Sequence, residues 1–580
     1  MKKYTADFET CVWLEDETYV WAYAVCEIGN EENIIIGNSL DEFMKLCEKS
    51  DNSVFYFHNL KFDGSFILNW CLENGYTYIK DKKESKTKTF SSLISDTGLF
   101  YQITVWFYKN GKYVKKATFY DSLKIIPMSV KAISKAFNLE ETKLQIDYKK
   151  PRPKKNYELT KEEREYIKND VVIVAKALKE LFFENLTKMT QGSNALSNYK
   201  DMVDKHKFSY YFPQLTKEQD KDIRRAYKGG FTYLNPKYKD KEVKEGVVLD
   251  VNSLYPYVMH EKLLPYGDPV FFFGKYKEDK VYPLYIQMIT CSFRLKKDKI
   301  PTIQIKNSYF FKGNEYLESS ESYEGDIVEL VLTSVDLKLF LEQYDVENLQ
   351  YIEGYKFRAK EGLFTEYIDK WTKVKIDSTL SGNKGKRTMA KLMLNSLYGK
   401  FATSLVTKAK IPYLEDDKVR YELGEEEDKK GLYIPVGAFI TSYAREKTIR
   451  TSQAIKDYSI KTYGEDKYCY SDTDSIHTTL EVEDLLKFCE IDDVKLGFWK
   501  IESRFRRAKF IRQKCYLEDI LDEKTNEYKV KITCAGMPES CYKYVNWDTF
   551  KTGFSCGRKA SLQNCKRWSK ASGNGVYHKR

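Results

Sequence analysis

The sequence has 580 residues, 42% of them hydrophobic and 31% charged, with 96 lysines and arginines against 85 aspartates and glutamates. These values exclude a disordered protein and predict a globular chain of several domains, at about 150 residues per domain. The net charge of +11 is only a modest bias towards a polyanionic partner. No apolar run approaches the ~20 residues of a membrane span, and the start MKKYTADFET turns polar too early for a signal peptide. The 12 cysteines include no CxxC pair, which argues against a zinc finger and for reduced intracellular thiols.

The first predicted element is a strand in KKYTADFETCVW, where apolar residues alternate with polar ones. Side chains on a strand repeat every second residue, so Asp7 and Glu9 project side by side on the face opposite to Phe8. A lone pair of this kind is most often part of a solvent-facing strand. Its interpretation therefore depends on whether further carboxylates join it.

The next apolar strand, Val54 to Phe57, is followed by the turn-like HNLKFDG and then by a helical run. Asn59 and Asp63 come just after this strand end, where α/β proteins place functional groups. This position predicts that both side chains join the site begun by the first strand.

The segment LTKEEREYIKNDVVIVAKALKEL predicts a helix that begins with a capping box of Thr160 and Glu163. Tyr166 and Asp170 lie four residues apart and share one face of this helix. Asp170 borders the apolar stretch from Val171 to Ala175, where a bare carboxylate is costly unless it is paired or bound to a metal.

These three segments together offer four carboxylates, from Asp7, Glu9, Asp63 and Asp170. Four carboxylates suit two hard divalent cations such as Mg²⁺ or Mn²⁺. Two such ions activate a water and stabilise the leaving oxygen of a phosphodiester, and Tyr166 would position that water. The pattern is typical of a nuclease.

A second set of functional residues begins in GVVLDVNSLYPYVM, where Asp250 ends the apolar strand Val247 to Leu249. The turn at Asn252 and Ser253 offers polar side chains and backbone N–H groups that suit a triphosphate. Tyr255 would form the floor under a sugar and clash with a 2′-hydroxyl group. The alternative interpretation is a strand and loop with a structural Tyr-Pro.

The segment KGKRTMAKLMLNSLYGKF predicts a helix that Gly399 ends. Arg387, Lys391, Asn395 and Tyr398 fall on one stripe of this helix, about 80° wide. A solvated face normally includes acidic residues, and this stripe has none. Its cations suit phosphates, and its tyrosine suits stacking against a base or sugar.

The stretch CYSDTDSI places Asp472 and Asp474 two residues apart, either on one strand face or on the two sides of a hairpin tip. Two carboxylates so close together indicate a metal site. Three neighbouring motifs suit close contacts with nucleic acid, by basic, polar or glycine-rich residues. They comprise Lys514 and Tyr516, Thr441 and Arg445 in FITSYAR, and Tyr227, Gly229 and Gly230 in YKGGF.

The ordered set DFET, HNLKFD, YxxxD, YxGG, DxxSLYP, KxxxNSxYG, TxxAR, YSDTDS and KxY resembles the family B DNA polymerases. The overall pattern is similar to the protein-primed branch of the phage phi29 type, and it extends from about Thr5 to Met537. The resemblance implies an α/β and α+β multidomain fold, with an RNase H-like 3′–5′ exonuclease domain and a right-hand polymerase that has two insertions.

The implied domains follow one another along the chain. They are the exonuclease domain at 1–189, the palm at 190–259 and 434–537, a first insertion that grips the terminal protein at 260–360, the fingers at 361–402, a second insertion for processivity and strand displacement at 403–433, and the thumb at 538–580.

The resemblance also implies a role for each motif residue. The polymerase metals would be bound by Asp250, Asp474 and the carbonyl group of Val251, with Asp472 close by. The exonuclease metals would be bound by Asp7, Glu9, Asp63 and Asp170, with Tyr166 and Lys143 assisting. The incoming nucleotide would contact Val251, Ser253, Leu254, Tyr255 as the steric gate, Arg387, Lys391, Asn395 and Tyr398.

The remaining implied roles concern DNA. The frayed 3′ end would be held by Thr10, His58, Asn59, Phe62, Ser122 and Leu123. Synthesis would be coupled to editing by Tyr227, Gly229 and Gly230. Template and primer would be contacted by Thr441, Arg445, Lys514 and Tyr516.

Three features depart from the family pattern. Arg387 stands where a lysine is expected, which keeps the charge but changes the donor geometry. Residues 376–386 look longer and more flexible than the family's connection within the fingers. The segment after Met537 resembles the thumb weakly and lacks a clear closing strand, although its basic residues from Arg558 to Arg580 suit a polyanion.

The resemblance therefore implies a DNA polymerase with a 3′–5′ exonuclease that replicates a linear phage genome from a protein hydroxyl group, with two Mg²⁺ or Mn²⁺ ions in each active site. Its expected partners are primer-template DNA, displaced single-stranded DNA, deoxynucleotides and a terminal protein. We expect a monomer, or a heterodimer with the terminal protein, in the host cytoplasm and without a membrane.

Four alternatives remain open at this stage. A primer-dependent family B polymerase without protein priming is the nearest, and it predicts no transfer of dAMP to a partner protein. A nuclease with a non-catalytic second half would tolerate the loss of Asp472 and Asp474. A DNA-binding protein without activity would not need six carboxylates. A glycosidase also uses paired carboxylates but gives no role to the cationic helix stripe.

Overall fold

The structure is a computed structural model that describes residues 2–14, 17–50, 52–154, 157–304, 316–321, 327–416, 418–522 and 525–553. The basic C-terminal segment and the predicted closing part of the thumb, from 554 onwards, lie outside the described residues. None of the helices in the described ranges combines the length and the apolar character that crossing a membrane requires.

The N-terminal region is an eight-stranded sheet with helices on both faces. Its strands are β1 (Lys3–Thr10), β2 (Val20–Glu27), β3 (Asn30–Gly37), β4 (Ser53–Phe57), β5 (Thr77–Tyr78), β6 (Thr89–Ile94), β7 (Phe100–Asn110) and β8 (Tyr113–Asp121), and its helices are α1 (Leu40–Lys49), α2 (Leu60–Glu73), α3 (Val130–Ala136) and α4 (Lys161–Phe183). The strand order is β3-β2-β1-β4-β8-β7-β6-β5, and β1, β4 and β8 run parallel.

Strand β1 is covered on both faces, which fixes the direction of its carboxylates. Ala6 and Phe8 pack into the core under α1 and α2, and the Thr5 hydroxyl donates a 2.8 Å hydrogen bond to the Val171 carbonyl of α4. The predicted capping box of Thr160 and Glu163 is confirmed at the start of α4. Such a cap contributes about 1 kcal/mol.

The chain then forms helices α5 (Gln191–Val203), α6 (Lys205–Tyr211) and α7 (Lys217–Arg224), strands β9 (Thr232–Leu234) and β10 (Glu242–Val251), and helix α8 (Leu254–Glu261). An antiparallel four-stranded sheet follows, in the order β11-β14-β12-β13. Its elements are β11 (Leu264–Phe273), β12 (Leu284–Leu295), β13 (Val328–Thr333), α9 (Ser334–Gln343) and β14 (Tyr344–Lys360).

Three helices and a hairpin come next along the chain. They are α10 (Thr365–Leu380), α11 (Lys384–Ser396), α12 (Tyr398–Phe401) and the two-stranded sheet of β15 (Val406–Glu415) and β16 (Lys418–Asp428). The final described elements are α13 (Ile434–Tyr463), β17 (Tyr468–Asp472), β18 (Ser475–Thr478), α14 (Val482–Leu485), β19 (Trp499–Arg512), β20 (Cys515–Asp522) and β21 (Glu527–Cys534).

A seven-stranded sheet unites distant parts of the chain, in the order β21-β20-β19-β10-β18-β17-β9. Strand β10 pairs antiparallel with both β18 and β19, so residues near 250 lie beside residues near 475 and 500. The core on one side of this sheet is continuous with the helices α8, α10, α11 and α13. This sheet therefore brings the motif of Asp250 beside the motif of Asp472 and Asp474.

Two predictions about the segment from 376 to 399 are wrong. Residues 376–380 are not a flexible connection, because α10 continues to Leu380 and only 381–383 link it to α11, through Gly382 at φ 72°. Gly399 does not end α11, which already ends at Ser396. The Ser396 hydroxyl donates to the Leu392 carbonyl at 2.6 Å, and such back-bonding weakens and bends helices.

The predicted turn HNLKFDG is also shorter than expected. Asn59 adopts the left-handed conformation, at φ 84°, and α2 begins at the next residue. Asp63 therefore lies in the first turn of a helix, where the helix dipole favours a carboxylate.

Two candidate carboxylate sites

The N-terminal sheet brings together the four carboxylates that the sequence predicts for one site. Oxygens of Asp7 and Glu9 on β1 and of Asp170 on α4 all lie within 4.8 Å of one another. Asp63 joins them from α2, where its carboxylate accepts a 3.2 Å hydrogen bond from the amide of Phe8. A cavity of about 120 Å³ opens beside Asp7 and Asp170.

The electrostatics of this first site favour the binding of cations. Burial raises the pKa of each of the four carboxyl groups, and repulsion among them raises those of Asp7, Glu9 and Asp63 further. One carboxylate oxygen of Asp170 is buried without a hydrogen-bond partner. Four oxygen donors with this mutual repulsion fit the ligand set of two hard divalent cations.

Both of the predicted assisting residues, Lys143 and Tyr166, lie beside these carboxylates. The Lys143 ammonium group contacts the Asp170 carboxylate and lies 3.4 Å from the Tyr166 hydroxyl. The Tyr148 hydroxyl lies 2.5 Å from that of Tyr166. Tyr148 was not predicted, because it lies in a segment without helix or strand where no side-chain periodicity marks it.

The residues predicted to hold a 3′ end surround the same edge of the sheet. The His58 ring lies 3.0 Å from the Ser122 hydroxyl, and the Asp121 carboxylate accepts the amides of Asn59 at 3.1 Å and Leu123 at 3.0 Å. Phe62 is 49% exposed on α2, whereas Thr10 is buried at the end of β1. Asp121, the last residue of β8, organises this edge and was not predicted from the sequence.

The second site forms where β10 meets the β17–β18 hairpin. Asp250 lies opposite Ser475, and the Val251 amide donates a 2.8 Å hydrogen bond to the Asp474 carbonyl. Asp472 and Asp474 lie on the two sides of the hairpin tip, the second of the two predicted arrangements, with Thr473 between them at φ 60°.

The two aspartates of this hairpin have different surroundings. Burial, together with repulsion from Asp250 and Asp472, raises the pKa of Asp474 to about 6. Asp472 instead receives the Lys514 ammonium group at 2.7 Å and the Thr232 hydroxyl at 3.2 Å. Asp474 therefore fits a divalent cation better than Asp472 does.

The predicted nucleotide-binding residues lie on β10, α8, α11 and α12 or in the turn before α8, and the side chains of Val251 and Leu254 are buried in the core between these elements. Ser253 adopts a left-handed conformation at φ 53°, which starts α8 at Leu254. The ring of Tyr255 stacks on that of Tyr398, with centroids 4.0 Å apart. Lys391 and the other two predicted polar residues of α11, Arg387 and Asn395, are exposed.

Two further lysines join the cations of α11. Burial and the charges of Arg387, Lys391 and Lys500 lower the pKa of Lys375 on α10. The Lys500 ammonium group also lies 2.8 Å from the Asp250 carboxylate. Neither lysine was predicted, because the approach of α10 to α11 and the register of β10 with β19 leave no periodic signal in the sequence.

The YxGG segment packs against the hairpin tip of the second site. A Cβ atom at Gly230 would lie 2.6 Å from the Thr473 hydroxyl oxygen, so only glycine fits there. Tyr227 is half-buried, and a Cβ atom at Gly229 would have open space.

Three of the four side chains predicted to contact template and primer are turned inwards. Arg445 is buried, where it donates to the carbonyls of Lys228 at 2.7 Å and Gly229 at 2.8 Å and pairs with Asp336 of α9 at 2.5 Å. Thr441 and Tyr516 are also buried. In this structure Arg445 therefore supports the YxGG loop, Thr441 donates to carbonyls of its own helix, and Tyr516 packs in the core of the sheet. Only Lys514 is half exposed.

The comparisons with known proteins agree with this arrangement. The sequence matches the family described as DNA polymerase type B, organellar and viral, over residues 45–152 and 149–485. It is 48% identical to the DNA polymerase of Bacillus phage B103 over 96% of this chain and 95% of that one. It is 46% identical to the polymerase of Bacillus phage phi29, with the same coverage, and 32% identical to that of Streptococcus phage Cp-1 over 97% and 96%.

Solved structures show the same similarity. The phi29 DNA polymerase complexed with primer-template DNA and incoming nucleotides matches with a TM-score of 0.88 and 45% identity, over 95% of each chain. Its complex with single-stranded DNA matches with a TM-score of 0.86 and 44% identity, again over 95% of each chain. This protein therefore belongs to the type B DNA polymerases, in their protein-primed, phi29-type branch.

Proposed function

We propose that this polymerase extends DNA at the Asp250–Asp474 site and removes 3′ nucleotides at the site of Asp7, Glu9, Asp63 and Asp170. The observation that carries this proposal is the presence of two separate clusters of mutually repelling carboxylates. One cluster faces the cations of α10 and α11, which suit a triphosphate, and the other lies beside the paired tyrosines and Lys143.

The domain assignment that supports this division uses the boundaries expected from the sequence. We assign 1–189 to the exonuclease, 190–259 and 434–537 to the palm, 361–402 to the fingers and 538–580 to the thumb. The four-stranded sheet within 260–360 and the β15–β16 hairpin within 403–433 are the two insertions. Among the described residues, the sheets of 1–189, of the palm and of the two insertions are distinct, which supports these boundaries.

In the polymerase reaction, a primer hydroxyl oxygen attacks the α-phosphate, the bond to the β-phosphate breaks and pyrophosphate leaves. Asp250, Asp474 and the Val251 carbonyl would bind two Mg²⁺ or Mn²⁺ ions. When bound, these ions would lower the pKa of the primer hydroxyl and neutralise the charge of the leaving pyrophosphate. Lys375, Arg387, Lys391 and Lys500 hold the phosphates, and the turn at Ser253 and Leu254 donates backbone N–H groups to them. Asn395 orients the nucleotide beside Tyr398.

In the exonuclease reaction, a water oxygen attacks the last phosphodiester and the 3′ oxygen of the shortened strand leaves. The Tyr166 hydroxyl orients this water, and Lys143 and Tyr148 fix the position of Tyr166. His58, Asn59, Phe62, Ser122 and Leu123, with Thr10, hold the frayed strand. Tyr227, Gly229 and Gly230, next to the hairpin tip of the polymerase site, couple synthesis to editing.

The steric gate gives a direct prediction about sugar selection. Tyr255 is stacked on Tyr398, so the Tyr255→Val variant should open space beneath the sugar without removing a charge. We expect the preference for deoxynucleotides over ribonucleotides to fall by about tenfold or more. Single-nucleotide insertion assays measure this ratio. Tyr257→Phe, on the same helix, is the matched control, and an unchanged ratio in Tyr255→Val would remove the gate assignment.

Protein priming makes a further prediction about the partner. We propose that a serine, threonine or tyrosine hydroxyl of a terminal protein replaces the primer hydroxyl at the Asp250–Asp474 site. Incubation with the candidate terminal protein and labelled dATP should then attach dAMP covalently to that protein, and Asp474→Asn should abolish the label. A wild-type enzyme that extends DNA primers but labels no protein would favour primer-dependent replication instead.

The source of the relatives supports the remaining proposals. Because they come from phages of Bacillus and Streptococcus, we propose that this polymerase replicates a linear phage genome in the cytoplasm of a bacterial host. We propose that it acts as a monomer or as a heterodimer with the terminal protein, and that the β15–β16 hairpin supports processivity and displacement of the non-template strand.

A further inference from the structure

A pair of cysteines faces across the β20–β21 hairpin, beside the second carboxylate site. Cys515 begins β20, Cys534 ends β21, and the two residues lie directly opposite each other. Their sulfur atoms are 3.3 Å apart. The two sulfur atoms are therefore in van der Waals contact, and the side chains point at each other from neighbouring strands.

The register of the hairpin is compatible with a bond between these sulfurs. The amide of Ala535 donates to the carbonyl of Lys514 at 2.8 Å. In an antiparallel ladder, this bond between the residues on either side places the facing pair of Cys515 and Cys534 at a non-hydrogen-bonded position. At such positions Cα atoms are about 4.5 Å apart. Disulfides accept Cα separations of about 4.4–6.8 Å.

The surroundings give the two thiols different accessibility. Cys515 is buried in a small apolar core with Leu517 and Phe550, whereas Cys534 is half-buried and reachable from solvent. The hydrogen bond from the Cys515 thiol, together with the charge of Arg512, lowers the pKa of the Cys534 thiol. Cys534 is therefore the more reactive of the two.

We propose that Cys515 and Cys534 form a reversible redox site, at which a peroxide closes a cross-strand disulfide that locks the β20–β21 hairpin. The site is independent of the proposed catalytic roles, although Lys514 and Tyr516 flank Cys515 in the sequence. The disulfide would link the edge strand β21, whose side chains are largely exposed, to the neighbouring strand β20 of the palm sheet.

The chemistry balances with hydrogen peroxide as the oxidant. The Cys534 thiolate attacks one peroxide oxygen, which gives a sulfenic acid and releases hydroxide. The Cys515 sulfur then attacks the Cys534 sulfur, forms the S–S bond and expels a second hydroxide. The two thiol protons convert both hydroxides to water, so two thiols are oxidised and one peroxide is reduced. A dithiol reductant reverses the closure by thiol–disulfide exchange.

The consequence for the protein is a change in local opening. Strand β21 is the edge of the seven-stranded sheet, so its amides exchange with solvent through local separation from β20. The disulfide removes these open states by restricting the loop between the two cysteines. We expect hydrogen exchange of the β21 amides to slow by about tenfold or more after oxidation.

The test treats the full-length protein with hydrogen peroxide, followed by peptide mapping without reductant and by hydrogen exchange. The expected result is a peptide pair linked through Cys515 and Cys534, slower exchange in β21, and reversal of both by dithiothreitol. Cys534→Ser should abolish both effects. Cys541→Ser, which changes another half-buried cysteine close in sequence, is the matched control and should retain them.

Three results would overturn the proposal. They are the absence of the linked peptides in the wild type, slower β21 exchange that persists in Cys534→Ser, and linked peptides with unchanged β21 exchange. Cys515→Ser provides a second variant with the same expectations. Because Cys515 is buried, Cys534→Ser decides the test if Cys515→Ser does not fold.

Discussion

Replacing Asp474 with alanine is expected to abolish primer extension while 3′ degradation continues. The side chain faces Asp250 at the hairpin tip, and repulsion from Asp250 and Asp472 adds to burial in raising the pKa of Asp474 to about 6. If Asp474 binds a divalent cation as proposed, its removal takes a charged donor from that cation. A loss of about 4 kcal/mol of transition-state stabilisation corresponds to about a thousandfold slower nucleotide insertion.

Single-turnover insertion on a matched primer-template measures this effect. Glu502→Gln is the matched control, because it removes an exposed carboxylate that only weakly repels Asp474. Asp472→Asn should lose less activity than Asp474→Ala, because Lys514 already neutralises Asp472. Primer extension by Asp474→Ala at the rate of the control would remove Asp474 from the proposed polymerase site.

The double variant Asp7→Ala with Glu9→Ala is expected to lose 3′ degradation and to keep nucleotide insertion. Both carboxylates belong to the first site, and no element of that site contributes to the second. We expect release of 3′ nucleotides to slow by about a thousandfold or more. Release from labelled single-stranded DNA measures this rate, and Glu32→Gln on the exposed side of β3 is the control.

This double variant should remain folded. Burial raises the pKa of Asp7 and Glu9 above their values in the unfolded chain, so their contribution to stability is present at low pH and is lost as the pH rises through the raised values. At neutral pH in metal-free buffer, removal of the two carboxylates should therefore leave the thermal transition unchanged or raise it. A lower transition temperature would contradict this electrostatic explanation.

Much of both sites could be predicted because the motifs are local. The alternation around Asp7, the capping box of α4 and the cationic stripe of α11 depend on a few neighbouring residues, and the structure shows the expected elements at each. The order of the motifs also indicated that Asp250 and Asp474 meet, although more than two hundred residues separate them. Strand register, which creates that contact, is not visible in either segment alone.

The features that sequence reasoning missed depend on contacts between distant elements. Lys375 and Lys500 reach the second site through helix packing and strand register, and neither segment has a distinctive pattern. Arg445 was expected to contact DNA because the motif TxxAR resembles the family pattern, but Asp336, on the helix that follows β13, pairs with it inside the protein.

One assay tests the central claim that this polymerase has two separate catalytic sites. A primer with a mismatched 3′ end is incubated with template, deoxynucleotides and Mg²⁺, and its length is followed for three proteins. The wild type should shorten the primer and then extend it, Asp474→Ala should only shorten it, and the Asp7→Ala, Glu9→Ala double variant should not shorten it. If either variant stays folded but loses both primer shortening and primer extension, the claim of two separate catalytic sites is contradicted.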